Sequence, residues 1–274
     1  MAIIYHYCSQ ETFLNIVKNK KIWLCATNNM NDSAEGVWVQ ETLKSLLSRS
    51  AIEEDRKRQD EIYRCSLINN NLKYISCFSK GQDILSQWRA YAQNGCGVAI
   101  GFDEGKLARS FSPIYGSSIN RPRLDINDVI YLSDSELESL LIEKMHLNGI
   151  YLDLDSEFPN AMQLISFSFE VDFLSSVVKK VAFKEEEEKR IIYKADVLIN
   201  DDREVTILNA VSKMYHRISG EFLTSYFEFG YSNDAISEIV LGPKNKFNEF
   251  DVEKFMRVND FKNTKIIRSA ATYR

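Results

Sequence analysis

The chain has little of what staples, anchors or hinges a protein. Its five cysteines (Cys8, Cys25, Cys65, Cys77 and Cys96) include no C-x-x-C pair, which excludes a zinc knuckle and a dithiol redox motif. An odd cysteine count without an export signal predicts a reducing compartment. No apolar run reaches the roughly 18 residues that a membrane-spanning helix needs. The opening MAIIYHYCSQ lacks the basic and long apolar regions of a signal peptide, so the expectation is a cytoplasmic protein with no membrane partner. Prolines number four in 274 residues, and there is neither an internal repeat nor a low-complexity linker. Residues 1–274 are therefore expected to form one domain.

What is present is material for a core. Hydrophobic residues make up 45 % of the chain and aromatics 12 %, enough to bury a large interior and to exclude disorder. The net charge of −5 argues against broad nonspecific binding of nucleic acid and leaves room for a local basic patch. The most informative run is Tyr74 to Phe102, YISCFSKGQDILSQWRAYAQNGCGVAIGF. It predicts a strand at Tyr74–Ser79 and a helix over Ile84–Gln93 capped by Asp83. The turn Asn94-Gly95-Cys96-Gly97 then leads into a second strand, Val98–Phe102. Ile84, Gln87, Trp88 and Tyr91 recur at helical spacing and share one face of that helix.

The rest of the chain is read in the same way. Ile3–Cys8 predicts a strand with Ile4, His6 and Cys8 on one face, followed by a helix capped by Ser9 and a strand at Lys21–Cys25. Asp32 and Glu35 have capping-box spacing ahead of a helix that runs to about Ser50, and the charged run Glu53–Arg64 predicts a solvated helix or connector. Residues 103–128 read as loop, Ile130–Leu132 as a strand, and Ser133 with Glu136 as a second capping box. A long apolar stretch over Ala161–Val178 predicts a buried helix, residues 206–230 one or two further helices, Ile236–Leu241 a strand, Asp251–Asn259 a helix and Lys265–Tyr273 a last strand. The fold class expected is α+β, with a mixed or antiparallel central sheet flanked by helices.

Several residues are candidates for chemistry, each with a structural alternative. His6 on its strand is either a buried histidine satisfied by a backbone carbonyl or an acid–base group at a cleft edge. In FKEEEEKRIIY, a strand would point Glu186, Glu188, Arg190 and Ile192 to one side, with the two carboxylates about 7 Å apart and the arginine next along. The alternative is a solvated helix start. Asn31 adds nothing to the Asp32–Glu35 cap and would meet an anion at the helix N-terminus. Trp88 and Tyr91 are read as core or as a stacking surface. Gly95-x-Gly97 is not a dinucleotide fingerprint, because a strand follows it. Cys77 is read as a buried thiol, since no neighbouring histidine is indicated.

Taken in order, Tyr5-His6-Tyr7, Asn31-Asp32-x-x-Glu35, Cys77-Phe78-Ser79, Trp88-x-x-Tyr91-Ala92 and Gly95-x-Gly97-Val98-x-Ile100-Gly101-Phe102 form a recognisable set. Phe183-x-x-Glu186-x-Glu188-x-Arg190, Ile239-x-x-Gly242 and Ser269-x-x-x-Tyr273-Arg274 complete it. Over nearly the whole chain it resembles a bacterial family of domains of unknown function, catalogued under the number 2971. Thr272 stands where that family often has a proline. The opening strand–helix–strand also resembles the ADP-ribosyltransferase superfamily.

The second resemblance implies an NAD-consuming enzyme of defence or toxin systems, with NAD as substrate and a nucleotide as ligand. His6 and Tyr7 would position the dinucleotide together with Asn31, Trp88 or Tyr91 would stack on it, and Glu188 would be the catalytic carboxylate supported by Glu186 and Arg190. Two other classes stay open. One is a metal-dependent nuclease using Asp32, Glu35, Glu186 and Glu188; the other is a non-catalytic binding or structural module.

Overall fold

The computed structural model describes residues 2–29, 33–49, 53–69, 72–110, 123–152, 156–199, 201 and 203–271. The first strand, β1 (Ile3–Cys8), leads through α1 (Gln10–Asn19) to β2 (Lys21–Ala26). Ser9 caps α1 as its hydroxyl side chain predicts, accepting from the Thr12 amide at 3.0 Å. Helices α2 (Ser33–Leu47) and α3 (Glu53–Ser66) precede β3 (Lys73–Ser79), α4 (Leu85–Ala90) and β4 (Val98–Asp103). There follow α5 (Glu104–Arg109), β5 (Arg123–Asp128), β6 (Ile130–Leu132), α6 (Asp134–Leu147), α7 (Ala161–Val177) and β7 (Val178–Lys180). The remainder is mostly strand: β8 (Glu188–Lys194), β9 (Val197–Ile199), β10 (Val205–Ile207), β11 (Tyr215–Ser219), β12 (Phe222–Gly230) and β13 (Ile236–Leu241). Helix α8 (Glu249–Val258) and β14 (Lys265–Arg268) close the described chain.

These elements form two compact units from interleaved segments. The first comprises Met1–Ala26, Lys73–Asp128 and Lys184–Arg274; the second comprises Thr27–Leu72 and Val129–Phe183. The first unit is organised on a ten-stranded mixed sheet in the order β11-β12-β2-β3-β1-β4-β13-β14, with β8 pairing β3 and β5 pairing β8. Only β13–β14 is parallel among these pairings. The fold is α+β, as the sequence predicts. Strand β4 lies between β1 and β13 and is buried at every position, which explains its unbroken small and apolar sequence VAIGFD. One sheet face carries the main core, including Ile4, Phe78, Ile100, Ile191, Phe227 and Ile239. Tyr5, Tyr7, Trp88, Ala92, Ala99 and Val240 form a separate cluster.

In the second unit α7 packs against α2 and α3, and β6 pairs β7 in parallel. Both capping boxes there, Ser133 with Glu136 and Asn160 with Gln163, are fully formed.

Five expectations need correction. Helix α7 is not buried all round: Leu164, Phe167, Val171 and Leu174 face inward while Met162, Ile165, Phe169 and Phe173 are exposed, since apolar residues occupy both helix faces. Residues 103–128 are not simply loop. Asp103 accepts from the Lys106 amide and so caps α5, and β5 adds an outer strand beside β8. Residues 206–230 hold no helix. They form the end of β10 and the hairpin β11–β12, which turns at Gly220 (φ 59), the first loop position, where a type II′ hairpin places glycine. The helix expected over Ile84–Gln93 is the shorter α4, and Asp83 does not cap it, because its carboxylate is engaged elsewhere. The predicted last strand stops at Arg268. Asn31 and Asp32, and the side chain of Glu35, lie outside the described residues.

Candidate functional site

Strands β8, β3, β1, β4 and β13 are neighbours, and their register sets which side chains meet. Glu188 pairs with Ser79, Ser79 with Tyr5, Tyr5 with Gly101 and Gly101 with Glu238. Residues in register share a face, so these five make one row across the sheet, with a carboxylate at each end. Gly101 is the gap that lets the row close. A Cβ there would stand 2.7 Å from Glu238 Cγ and 3.1 Å from Tyr5 Cε1. Across it the Tyr5 hydroxyl donates to Glu238 Oε1 at 2.8 Å, and Gln82 Nε2 donates to the same oxygen at 2.8 Å. Burial and the Glu238 carboxylate push the Tyr5 phenol well above its ordinary range.

At the other end, Glu188 and Arg190 form a buried bidentate pair. Arg190 Nε donates to Glu188 Oε1 at 2.7 Å and Nη2 to Oε2 at 3.0 Å, with both side chains under a tenth exposed. The strand alternation read from EKR is what puts the two side chains together. Glu186 does not join them on the strand. It ends a short 3₁₀ turn, is part-buried, and offers its carbonyl to the Ser79 hydroxyl at 2.7 Å. That hydroxyl also accepts from the Gly81 amide, so Ser79 fastens the β3 exit.

His6 is one residue out of this row and therefore on the opposite face. It lies in register with Ile100, and its ring sits 5.5 Å from Phe78. Its role follows from a split in the sheet. One edge of β3 pairs with β2 at Tyr74 and Ile75 and with β1 at Ser79. Between those pairings His6 Nδ1 lies 2.9 Å from the Cys77 carbonyl. A carbonyl only accepts, so Nδ1 carries the proton and a side chain stands in for a ladder bond. Burial lowers the pKa of His6 below 6.5, and the carbonyl contact opposes that only in part. The unfolded chain thus takes up a proton near pH 6.5 that the folded one refuses. The His6 contribution to stability is complete above that pH and is lost as pH falls below it. Urea denaturation between pH 7.5 and 5.5 is expected to show this fall, and His6→Gln is expected to flatten it.

The aromatic candidates are structural in their contacts. Trp88 is fully buried, Tyr7 packs edge-on against it at 4.8 Å, and the Tyr7 hydroxyl donates to Gly81 O and accepts from the Ile84 amide. Tyr91, at the α4 C-terminus, is 41 % exposed. Trp88 also explains Asp83, whose Oδ1 accepts from Trp88 Nε1 and the Ser269 hydroxyl, each at 2.6 Å. Its Oδ2 accepts from the amides of Ala270 and Ala271. Two of the sequence signatures, around Trp88 and Ser269, therefore meet on one carboxylate.

A surface cavity of about 430 Å³ lined by Lys106, Asp234, Phe261 and Lys265 includes none of the predicted site residues. Among the described residues no group of three or more His, Cys, Asp or Glu side chains is arranged to hold a metal ion. No described helix is long and apolar enough to cross a membrane. Sequence reasoning missed Gln82 and Glu238, whose partners come from distant segments, and the aromatic residues of β2, β11 and β12. The period-two spacing Tyr215-x-Arg217 and Thr224-x-Tyr226-x-Glu228 carries the signal for that hairpin.

A family model described as protein of unknown function (DUF2971) matches residues 87–191, from α4 to β8. That is less than half of the chain, so the resemblance expected over nearly its whole length is supported for this stretch alone. The matched stretch contains Trp88, Tyr91, Glu186, Glu188 and Arg190 and leaves out His6 and Tyr7. No curated protein and no solved structure matches the chain, and neither the ADP-ribosyltransferase resemblance nor a bacterial origin draws support from these comparisons.

Proposed function

We propose that the chain is a non-catalytic binding module, in which the sequence signatures build the scaffold. The observation that carries this reading is the placement of His6 and Glu188 on opposite faces of the sheet, each already satisfied within the protein. An NAD-consuming transferase needs its histidine and glutamate open to one substrate. Here the histidine serves a backbone carbonyl and the glutamate a buried guanidinium. Tyr7, Trp88, Asp83 and Ser269 are likewise explained by contacts that hold β3, α4 and the tail together.

The test is incubation of the purified protein with NAD, with nicotinamide release followed over time. The expected result is no release above that of buffer. Release by the wild type, abolished in a Glu188→Gln variant that keeps the wild-type Tm, would overturn the proposal and restore the transferase reading.

A further inference from the structure

The face that carries Glu188 continues across β2, β12 and β11, where it is lined by aromatic rings and cations. Cys25 is in register with Ile75 on one side and with Tyr226 on the other, and Tyr226 with Tyr215. Trp23 is two residues from Cys25 and shares its face. The rings of Trp23, Tyr226 and Tyr215 make a ladder, with centroid spacings of 4.4 Å and 5.4 Å and the last pair stacked at 21°. Trp23 is 39 % exposed, whereas Trp38 and Trp88, the other tryptophans, are buried.

Three cations attend the ladder. Lys21 is paired with Glu228, but Arg217 and Lys213 have no carboxylate partner among the described residues. The Arg217 guanidinium lies 5.5 Å from the Trp23 ring and the Lys213 ammonium 4.9 Å from the Tyr215 ring. Arg217 Nε is buried with no hydrogen-bond acceptor, and Nη2 meets only the weak acceptor Cys25 Sγ at 3.6 Å. Arg217 as a whole is half-buried, and its Nε, cut off from water without an acceptor, is an unfilled requirement.

From this arrangement, and resting on the binding-module reading, we infer that the β2–β12–β11 face binds single-stranded nucleic acid. A base stacks at an end of the ladder, and Arg217 and Lys213 take the adjoining phosphates. The interior spacings are too close to admit a base, so the ends of the ladder are where stacking is free. The Tyr215 end is open because β11 is the last strand of the sheet. A base entering there would displace the Lys213 ammonium from the ring face towards a phosphate. Exposed base faces occur in single strands and are hidden in a duplex, and stacking tolerates any sequence. The net charge of −5 makes two unpaired cations beside three rings a local feature.

Trp23, as the exposed tryptophan, is a built-in reporter. Titration of the full chain with a mixed-sequence single-stranded DNA of about 12 nucleotides at low salt is expected to quench its fluorescence saturably. Affinity should fall with salt with a log–log slope of about −1.4 for two phosphates. Tyr215→Leu is expected to weaken binding roughly tenfold or more, as loss of one base–aromatic stack does. Lys213→Glu, at an exposed position that does not threaten folding, should weaken it as well. Absence of binding both by fluorescence and by anisotropy of a labelled oligonucleotide would overturn the inference. So would equal affinity for the duplex form, or for free NAD or AMP. None of those outcomes bears on the NAD-release test, so the two proposals fail separately.

Discussion

Glu188→Gln is expected to destabilise the protein by about 3 kcal/mol, read as a lower urea midpoint at unchanged slope. The pair it breaks is bidentate and almost wholly removed from water. In bulk water a lost ion pair is worth little, because each ion is rehydrated. Here the Arg190 guanidinium loses its bidentate carboxylate, and burial denies it the compensating hydration. Arg190→Met should cost at least as much, because the buried carboxylate loses its bidentate partner. A group held for chemistry behaves differently: active-site residues are commonly kept at a cost to stability, and their replacement leaves the fold as stable or more so. The sign of the Glu188→Gln effect therefore separates scaffold from site.

Gly97→Ala is expected to cost about 3 kcal/mol and to lower the thermal midpoint accordingly. Gly97 ends the Gly95-x-Gly97 turn, which the following strand already sets apart from a dinucleotide fingerprint, and the structure uses it for close backbone approach. A Cβ there would overlap the Cys8 carbonyl oxygen and stand 2.9 Å from both Cα and C of Ala92, all main-chain atoms that cannot turn aside. The Gly97 amide donates to Ala92 O at 2.8 Å, and its carbonyl accepts from the Gly242 amide at 3.1 Å and from Asn245 Nδ2 at 2.9 Å. Gly242 is constrained from the other side, since a Cβ on it would run into Gly95 O. Two glycine signatures far apart in sequence thus record one contact. Gly220→Ala is the control. Its Cβ would meet nothing within 4 Å, and only the positive φ of 59° penalises it, by about 1 kcal/mol.

What was legible in the sequence was local. Hydroxyl caps such as Ser9 and Ser133 announce helix starts, and the apolar runs of β3, β4 and β13 announce buried strands. Alternation within β1 and β8 correctly sorts each strand into two faces. It cannot say which face of β1 matches which face of β8, because that depends on the registers Tyr5–Ser79 and Ser79–Glu188, formed between distant segments. This is why His6 and Glu188 read as partners and stand on opposite sides. The hairpin β11–β12 was hidden because Ile218, Phe222 and Leu223 are exposed apolar residues that blur its period-two pattern. Asp83 sits where a cap belongs, but its four donors include the amides of Ala270 and Ala271, which no local rule supplies.

The measurement that bears most directly on the scaffold reading is a double-mutant cycle at Glu188 and Arg190, followed by urea denaturation. The account predicts a large loss for Glu188→Gln and for Arg190→Met alone. It also predicts that replacing both residues together by apolar side chains of similar volume recovers most of that loss, because neither charge is then left buried without the other. Glu188→Gln as stable as the wild type, with no coupling to Arg190, would contradict it and mark Glu188 as a carboxylate kept for something other than the fold.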